Sequence, residues 1–340
     1  MSGQVDLFGE PPAQSDDSAR PDVTARKESS KRSAVTAVAT DPVLQALSLK
    51  LPKSVRFGTS TWSFSGWQGI VYGGEYDEAK LAREGLAAYA RHPLLRSVGV
   101  DRSYYRPLDD KTLQRMAASV GPDFRFLIKA HAALMLPKSA RRPEYLAGVP
   151  DVFLDPDYAR RNVIEPAIRH LGDKLGVILF QFSPLGERVL RYRRELLERL
   201  GSFLAALPRE AQYAVEWRDR AMLGPDLAEL LAKHRTAHGF AAHPRMPAIE
   251  EQAILDHGSG PLIVRWLLRG DRAYEEARAA YAPFDRLCDP DPGTRGRIAG
   301  LLQSAAAQGR EALLIVNNKA EGSAPLSIAA LAQTMAVESP

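Results

Sequence analysis

Residues 176–217 read GVILFQFSPLGERVLRYRRELLERLGSFLAALPREAQYAVEW and contain a complete strand–helix–strand pattern. The runs at the two ends, 176–182 and 212–217, are mostly apolar, as is typical of strands that are covered on both faces of a parallel sheet. Between them, residues 191–207 have the amphipathic period of a helix. This unit predicts a parallel sheet whose strands are connected by helices.

The same alternation continues outward from this unit in both directions. It predicts six further strands, at residues 55–60, 96–100, 124–130, 236–242, 262–266 and 312–316. It predicts six further helices, over residues 77–91, 110–119 (with Asp110 as a possible cap), 160–171, 225–234, 293–308 and 327–337. The sixth unit offers only a short helix, at residues 247–256.

Eight strand–helix alternations over about 280 residues predict one (β/α)8 TIM-type barrel, an α/β fold that spans residues 55–336. An open doubly wound sheet is the alternative, and the count of eight favours the barrel. Residues 9 to about 41 are rich in Ser, Asp, Ala, Pro, Lys and Arg and contain no aromatic residue. Such a composition buries too little surface to offset chain entropy, so residues 1–50 are predicted to be a disordered tail.

The composition of the chain is that of a soluble globular protein. Hydrophobic residues make up 45% and charged residues 25%, which allows a large core. The formal net charge of +4 permits an anionic partner without requiring one. Cys288 is the only cysteine, which fits a reducing compartment. Since neither a signal peptide nor a membrane-spanning stretch is recognisable, we predict a cytoplasmic protein.

Polar residues occur at the carboxyl end of every predicted strand, where the working residues of such barrels lie. In chain order they are Ser60, Thr61, Trp62, Trp67, Asp101, Arg102, Tyr104, Tyr105, Arg106, Lys129, His131, Gln181, Glu216, Arg218, His243, Arg265, Asn317 and Asn318. A purely structural barrel has no need of polar strand ends on one rim. We therefore predict a polar pocket at the carboxyl face.

Charged residues in this set suggest acid–base chemistry on an anion. Lys129 stands in the apolar run FRFLIKAH, where a buried lysine is costly unless it is paired or lines a cavity. Glu216 is interpreted as the general acid or base with Asp101 as its partner, and Lys129 as a further catalytic residue. The alternative is a structural ion pair of Glu216 and Arg218 with Lys129 or Asp101. Cations predicted to bind phosphate are Arg106, Lys129, Arg218 and Arg265.

Aromatic and amide side chains complete the predicted substrate-binding set. Trp62 and Tyr105 could stack on a base or a sugar, or only pack at the top of the barrel. Gln181, Asn317 and Asn318 supply hydrogen-bonding groups. No nucleotide-binding glycine loop and no G-x-S-x-G sequence is present, so we predict no cofactor.

A metal site is the less favoured interpretation of the same strand ends. No HExxH sequence, H-x-H sequence or cysteine pair is present. A divalent metal remains the alternative, with His131, His243, Asp101 and Glu216 as its ligands.

Six motifs in order resemble the domain of unknown function 72 family, the YecE-like proteins, between Arg56 and Ala332. The quoted motifs are GTSTWSFSGWQGIVY at 58–72, SYYRP at 103–107, FRFLIKAH at 124–131, LFQFSP at 179–184, AVEWRD at 214–219 and IVNNKAEGSAP at 315–325. The resemblance implies a TIM-type barrel and a family without a settled reaction. It also implies that the shared pocket positions are Trp62, Tyr105, Arg106, Lys129, Gln181, Glu216, Arg218, Arg265 and Asn318.

Three departures from the family pattern bear on this pocket. On the second strand Gly99 replaces the family's acid and Asp101 its amide. The seventh strand keeps Arg265 but lacks the histidine that usually follows. Lys319 stands where an acid is common. If the family reaction needs that acid and that histidine together, the resemblance implies an altered or inactive member.

The extreme N-terminus carries a separate motif. QVDLF at residues 4–8 is similar to the peptide by which many bacterial polymerases and repair proteins dock on the DNA sliding clamp. Leu7 and Phe8 would fill apolar pockets and Gln4 would hydrogen-bond at their rim. A chance apolar cluster is the alternative.

These features give three functional hypotheses. The first is a DNA-associated enzyme, linked to repair or replication, that acts as a hydrolase on DNA or another phosphate-bearing substrate. The second is a small-molecule barrel enzyme, for instance one that acts on sugars. The third is a clamp-associated binding module without catalysis.

Overall fold

The computed structural model describes residues 34–140 and 142–337, and within them eight parallel strands close into a barrel. Each strand pairs with the next along the chain, and β8 closes the barrel on β1. The strands are β1 (Val55–Thr59), β2 (Leu95–Val100), β3 (Arg125–Lys129), β4 (Leu175–Phe182), β5 (Tyr213–Trp217), β6 (Ala237–Ala242), β7 (Leu262–Trp266) and β8 (Ala312–Val316). The (β/α)8 prediction is confirmed, and every strand end lies within one residue of its predicted position.

The helices surround the barrel. They are α1 (Pro42–Lys50), α2 (Glu78–Glu84), α3 (Leu86–Tyr89), α4 (Arg102–Tyr105), α5 (Asp110–Ala118), α6 (Pro156–Ala159), α7 (Glu165–Leu171), α8 (Glu187–Leu190), α9 (Arg193–Ala205), α10 (Pro225–Lys233), α11 (Tyr274–Tyr281), α12 (Pro292–Ala307) and α13 (Ala324–Val337). A π-helical turn, Arg160–Ile164, joins α6 to α7. In the sixth unit the expected short helix is a 3-10 turn, Glu251–Leu255. None of the described helices is long and apolar enough to cross a membrane.

The inside of the barrel changes from apolar to polar along the strands. Its lower part is filled by a cluster of aliphatic side chains, which includes Leu127, Leu179, Ala214 and Ile263. Side chains two residues apart on a strand share a face. The next inward positions on these four strands are therefore polar or charged, and they are Lys129, Gln181, Glu216 and Arg265. This alternation positions the polar layer at the carboxyl end of the barrel.

The structure of residues 34–50 differs from the predicted disordered tail. The backbone nitrogen of Val38 donates to the carbonyl oxygen of Val71 at 3.0 Å, which ties this segment to the loop after β1. The side chain of Asp41 caps α1, and α1 packs against α13 with Leu47 buried. The prediction is wrong for residues 34–50, because a few apolar side chains such as Leu44 and Leu47 find a surface on the barrel that average composition does not reveal. Residues 1–33 lie outside the described residues.

Candidate functional site

A cavity of about 310 Å³ opens at the carboxyl ends of the strands. We call it the mouth cavity and define it by Ser60, Asp101, Lys129, Arg218, Arg265 and residues 317–319, all of which line it. These residues come from or directly follow six of the eight strands. The predicted polar pocket at this face is therefore present in the structure.

The innermost part of the site is an ion-pair network around Glu216. This side chain is completely buried beneath the mouth cavity. Its carboxylate accepts from Nε of Arg218 at 2.5 Å and from Nη1 of Arg265 at 3.0 Å. The same Nη1 of Arg265 donates to Oε1 of Gln181 at 2.7 Å. Gln181 therefore helps to hold Arg265 from below, and it does not line the cavity.

Lys129 and Asp101 form the second part of the site. Nζ of Lys129 lies 3.5 Å from Oδ1 of Asp101, and Nη2 of Arg265 lies 3.4 Å from the same oxygen. The Lys129 ammonium also lies 4.3 Å from the ring centre of Tyr104, in a cation–π contact. Lys129 is only 1% exposed, whereas about a third of the Asp101 side chain is open to solvent. Of the two carboxylates in this network, Asp101 is thus the one that an incoming ligand can reach.

Burial and charge shift the pKa values of these groups in opposite directions. Burial lowers the pKa of Lys129 to about 8, although the negative charge of Asp101 partly opposes this. Burial alone would raise the pKa of Glu216, but the positive charges of Arg218 and Arg265 outweigh it, so this pKa lies below its ordinary value. Lys129 can therefore exchange a proton near neutral pH, whereas Glu216 stays ionised. This arrangement favours Lys129 over Glu216 as the acid–base group.

The charges that meet at the cavity do not balance. In the described part of the chain, three cations (Lys129, Arg218 and Arg265) are each at most 6% exposed. They face the two carboxylates of Asp101 and Glu216. The hydroxyl of Ser60 lines the same cavity, is buried, and has no hydrogen-bond partner among the described residues. This buried network therefore carries one more positive than negative charge beside the Ser60 hydroxyl, and Glu78 and Lys319, which also line the cavity, add one charge of each sign.

Besides Gln181, two residues of the predicted substrate-binding set lie outside the mouth cavity. Trp62 is buried, and its indole nitrogen donates to the carbonyl oxygen of Leu81 at 3.1 Å, with the Arg102 guanidinium over its ring. Arg106 is exposed at the end of α4 and does not line the cavity. Trp62 therefore packs α2 onto the barrel. Tyr105, which was predicted with them, does line the cavity.

The asparagine pair after β8 is held by its own loop. Oδ1 of Asn318 accepts from the indole nitrogen of Trp67 at 3.2 Å and from the backbone nitrogen of Ala324 at 2.8 Å. Oδ1 of Asn317 accepts from the backbone nitrogen of Lys319 at 3.0 Å. These contacts fix the orientation of both amides at the wall of the cavity.

The residues considered as metal ligands are separated by other contacts. Nδ1 of His131 bonds to the hydroxyl of Tyr158 at 2.8 Å, and Nδ1 of His243 accepts from the backbone nitrogen of Arg245. Burial lowers the pKa of His243 to about 3, and the nearby Arg218 adds to this, so the imidazole is neutral. Within residues 34–140 and 142–337, no three His, Cys, Asp or Glu side chains group as a metal site.

Several residues that line the cavity were not predicted as site residues, among them Glu78, Tyr274, Phe284 and Lys319. Tyr274 and Phe284 come from the segment between β7 and α12, which includes α11. Lys319 had been noted only as a departure from the family pattern. Its position directly after the two asparagines was the signal that could have placed it in the site. The two aromatic residues gave no such signal, because they are distant from any strand end in the sequence.

The fold and the polar mouth together define a TIM-type barrel protein with a polar cavity at the carboxyl ends of its strands. The profile of the family described as "Protein of unknown function DUF72" matches residues 56–340. The chain therefore belongs to the DUF72 family.

Solved structures of two other members have the same fold. A DUF72 family protein from Thermotoga maritima is 19% identical, with a TM-score of 0.57 over 83% of this chain and 98% of that one. A DUF72 family protein from Enterococcus faecalis is 14% identical, with a TM-score of 0.54 over 84% and 97% of the two chains. The comparison with curated proteins finds no match.

Proposed function

We propose that the mouth cavity is the active site of an enzyme that acts on a small phosphate-bearing molecule. The observation that carries this proposal is the excess of buried positive charge formed by Lys129, Arg218 and Arg265 against Asp101 and Glu216. An excess of buried positive over negative charge is unfavourable by roughly several kcal/mol, and a bound anion offsets it. Guanidinium groups match phosphate oxygens in geometry as well as in charge.

The size of the cavity favours a small molecule over a nucleic-acid duplex. At about 310 Å³ it falls at the lower end of the usual range for ligand pockets. A cavity of this size favours the hypothesis of a small-molecule enzyme over that of a DNA-acting enzyme. The proposal that the substrate carries a phosphate group is unchanged. Hydroxyl and amide groups from Ser60, Thr61 and Asn317 line the wall and suit a polar substrate body.

The chemistry that this site supports is general acid–base catalysis beside a bound anion. Lys129 donates a proton when it is charged and accepts one when it is neutral, and its pKa of about 8 makes both forms accessible. Asp101 lies within reach of Lys129 and of the cavity, so it can relay that proton. Arg218 and Arg265 stabilise negative charge on the substrate, with Glu216 as the positioning residue that fixes both. Hydrolysis of a phosphate ester is one reaction of this class.

Calorimetric titration with inorganic phosphate tests the proposal. We expect binding to the wild-type protein and about tenfold weaker binding, or more, to Lys129→Met, since a charge-assisted hydrogen bond is lost. Arg106→Gln is the matched control, because Arg106 is a cation on the same face that does not line the cavity. Its affinity should stay within about twofold of wild type. Absence of phosphate binding, or equal binding by Lys129→Met, would refute the proposal.

The remaining sequence hypotheses stand as separate proposals. Docking on the sliding clamp depends on Gln4, Leu7 and Phe8, which lie outside the described residues. Association with DNA and the non-catalytic binding module depend on the same peptide. A cytoplasmic location, where Cys288 would stay reduced, is likewise proposed.

A further inference from the structure

We infer that the substrate is a phosphorylated carboxylic acid, whose carboxylate is bound at the outer end of the mouth cavity by Asn317, Asn318 and Lys319. We call these three residues the outer donor cluster. The inference rests on the proposed function, which assigns the phosphate to Lys129, Arg218 and Arg265. It adds a second recognition position and thereby narrows the substrate class.

The two asparagines present donors to the cavity. Their side-chain oxygens are already engaged, that of Asn318 by Trp67 and Ala324 and that of Asn317 by the backbone of Lys319. Among the described residues, neither amide nitrogen has a hydrogen-bond acceptor. Both residues line the mouth cavity. The groups left to meet a ligand are therefore N–H donors, which suit the oxygens of an anion.

Lys319 adds a positive charge to the same wall. Its ammonium lies 4.3 Å from the ring centre of Tyr274 and 5.7 Å from that of Phe284. In the described part of the chain it forms no ion pair with a carboxylate, and it lines the cavity while partly buried. The two rings hold the side chain against the cavity wall without neutralising its charge. An acidic ligand group would supply the missing partner.

The lysine of the outer donor cluster has different contacts from the inner cations. Lys129 and Arg265 both contact Oδ1 of Asp101. Burial lowers the pKa of Lys319 to about 8, with a smaller contribution from Arg278 and with Glu275 and Asp101 opposing. Asp101 is thus the charged neighbour that Lys129 and Lys319 share. Lys129 and Lys319 both line the cavity and have different contacts, which suits a ligand with two acidic groups.

The composition of the outer donor cluster points to a carboxylate as the second acid. One ammonium matches a single negative charge, and the two amides can serve the two oxygens of one carboxylate. A second phosphate would bring a larger charge than one lysine balances. The inner position, with two guanidinium groups and an ammonium, is the better site for the phosphate.

Matched phosphonate probes test this inference. For chains of two, three and four carbons, an ω-phosphonocarboxylic acid is compared by calorimetry with the alkylphosphonate of equal length. We expect the carboxylate to strengthen binding to the wild-type protein on the order of tenfold for at least one length. Lys319→Met should remove that gain and leave the alkylphosphonate affinity within about twofold. This variant keeps an unbranched side chain between the two rings, so its fold is expected to persist.

Two further variants complete the experiment. Asn317→Asp keeps the oxygen that accepts from the Lys319 backbone but puts a negative charge in the cluster, so it should also abolish the gain from the carboxylate. Arg106→Gln should retain the gain in affinity that the carboxylate provides. If alkylphosphonates bind and the carboxylate adds nothing at any length, or if Lys319→Met keeps the gain, the inference is wrong and the proposed function stands. If no phosphonate binds, both are wrong.

Discussion

Glu216 and Lys129 lie on facing parts of the same polar layer and are both almost completely buried, yet their surroundings differ. Both oxygens of Glu216 accept hydrogen bonds from guanidinium groups. Lys129 has one carboxylate at 3.5 Å and an aromatic ring. At the scale of single residues, Glu216 therefore holds two guanidinium groups in place, and Lys129 is the residue whose charge can change near neutral pH.

Glu216→Gln separates these roles. The substitution keeps the shape of the side chain but leaves Arg218 and Arg265 without their buried counter-charge, so it should cost about 3–5 kcal/mol of stability. Because the cavity becomes more positive, folded Glu216→Gln protein should still bind phosphate. Chemical denaturation and phosphate titration below the melting temperature check this. Unchanged stability together with lost phosphate binding would contradict a positioning role for Glu216.

The sequence predicted individual site residues where they lie on a strand. Lys129, Glu216 and Arg265 project inward because each is two residues beyond an inward aliphatic residue, and that period is readable in the sequence. Trp62 and Arg106 follow strand ends by several residues, and the loop turns them away from the cavity. The period of a strand ends with the strand, so the direction of such side chains could not be predicted.

The departure at Gly99 also has a steric basis. A β-carbon at this position would lie 3.1 Å from Cγ2 of Ile315 and 3.5 Å from Cα of Ser60. The acid that the family usually carries there would have to enter this crowded layer. Asp101, two residues later, presents its carboxylate to the open cavity instead. The carboxylate of Asp101 therefore lies nearer the opening of the barrel than an acid at position 99 would.

At the scale of secondary-structure elements, the strands were predicted more closely than the helices. Strand ends follow from apolar runs, which the closed barrel requires to be buried on both faces. The helical layer contains short pieces and a π-turn that a helical period does not reveal. Asp109 caps α5 by accepting from the backbone nitrogen of Thr112 at 2.7 Å, so the prediction that Asp110 caps this helix was wrong. Because Asp109 and Asp110 are adjacent, the sequence alone does not show which of them caps the helix.

The N-terminal segment offers a test at this scale. Removal of residues 1–33 should leave the melting temperature unchanged within about 1 °C, whereas removal of residues 1–50 should lower it by about 5 °C. The physical reason is the loss of α1 from α13, since burial of one leucine such as Leu47 contributes about 1.5–3 kcal/mol. Differential scanning calorimetry of the three chains is the measurement. Equal melting temperatures for the full chain and the chain without residues 1–50 would mean that this segment does not stabilise the barrel.

At the scale of the whole molecule, the described structure is a barrel with one polar mouth, and the clamp hypothesis concerns a different part of the chain. Its prediction is that replacement of Leu7 and Phe8 by Ala weakens binding to a purified sliding clamp by about tenfold or more, because two buried apolar side chains are lost. The melting temperature of the barrel should not change. Titration of the clamp with wild type, the double variant and a chain that begins at Val55 checks this. Similar affinity for all three would show that the motif is accidental.

The linkage between anion binding and the charge of Lys129 tests the central claim most directly. Lys129 has a pKa of about 8 in the free protein, below the ordinary value of a lysine, so above that pH it is mostly neutral. A bound anion favours the charged form and raises this pKa. Binding at about pH 8.5 should therefore take up part of a proton, and affinity should be full well below pH 8 and fall as the pH rises through about 8.

Sulfate is the suitable probe for this measurement, because its own charge does not change in this range. Calorimetric titration in two buffers of different ionisation enthalpy gives the number of protons taken up. The account predicts proton uptake by the wild-type protein and by Lys319→Met, and a clearly smaller uptake by Lys129→Met, in which Lys319 is the remaining lysine of the cavity with a pKa of about 8. Sulfate binding without proton uptake, with equal affinity below and above pH 8, or no sulfate binding at any pH, would contradict the claim that Lys129 and its neighbouring arginines form an anion-binding active site.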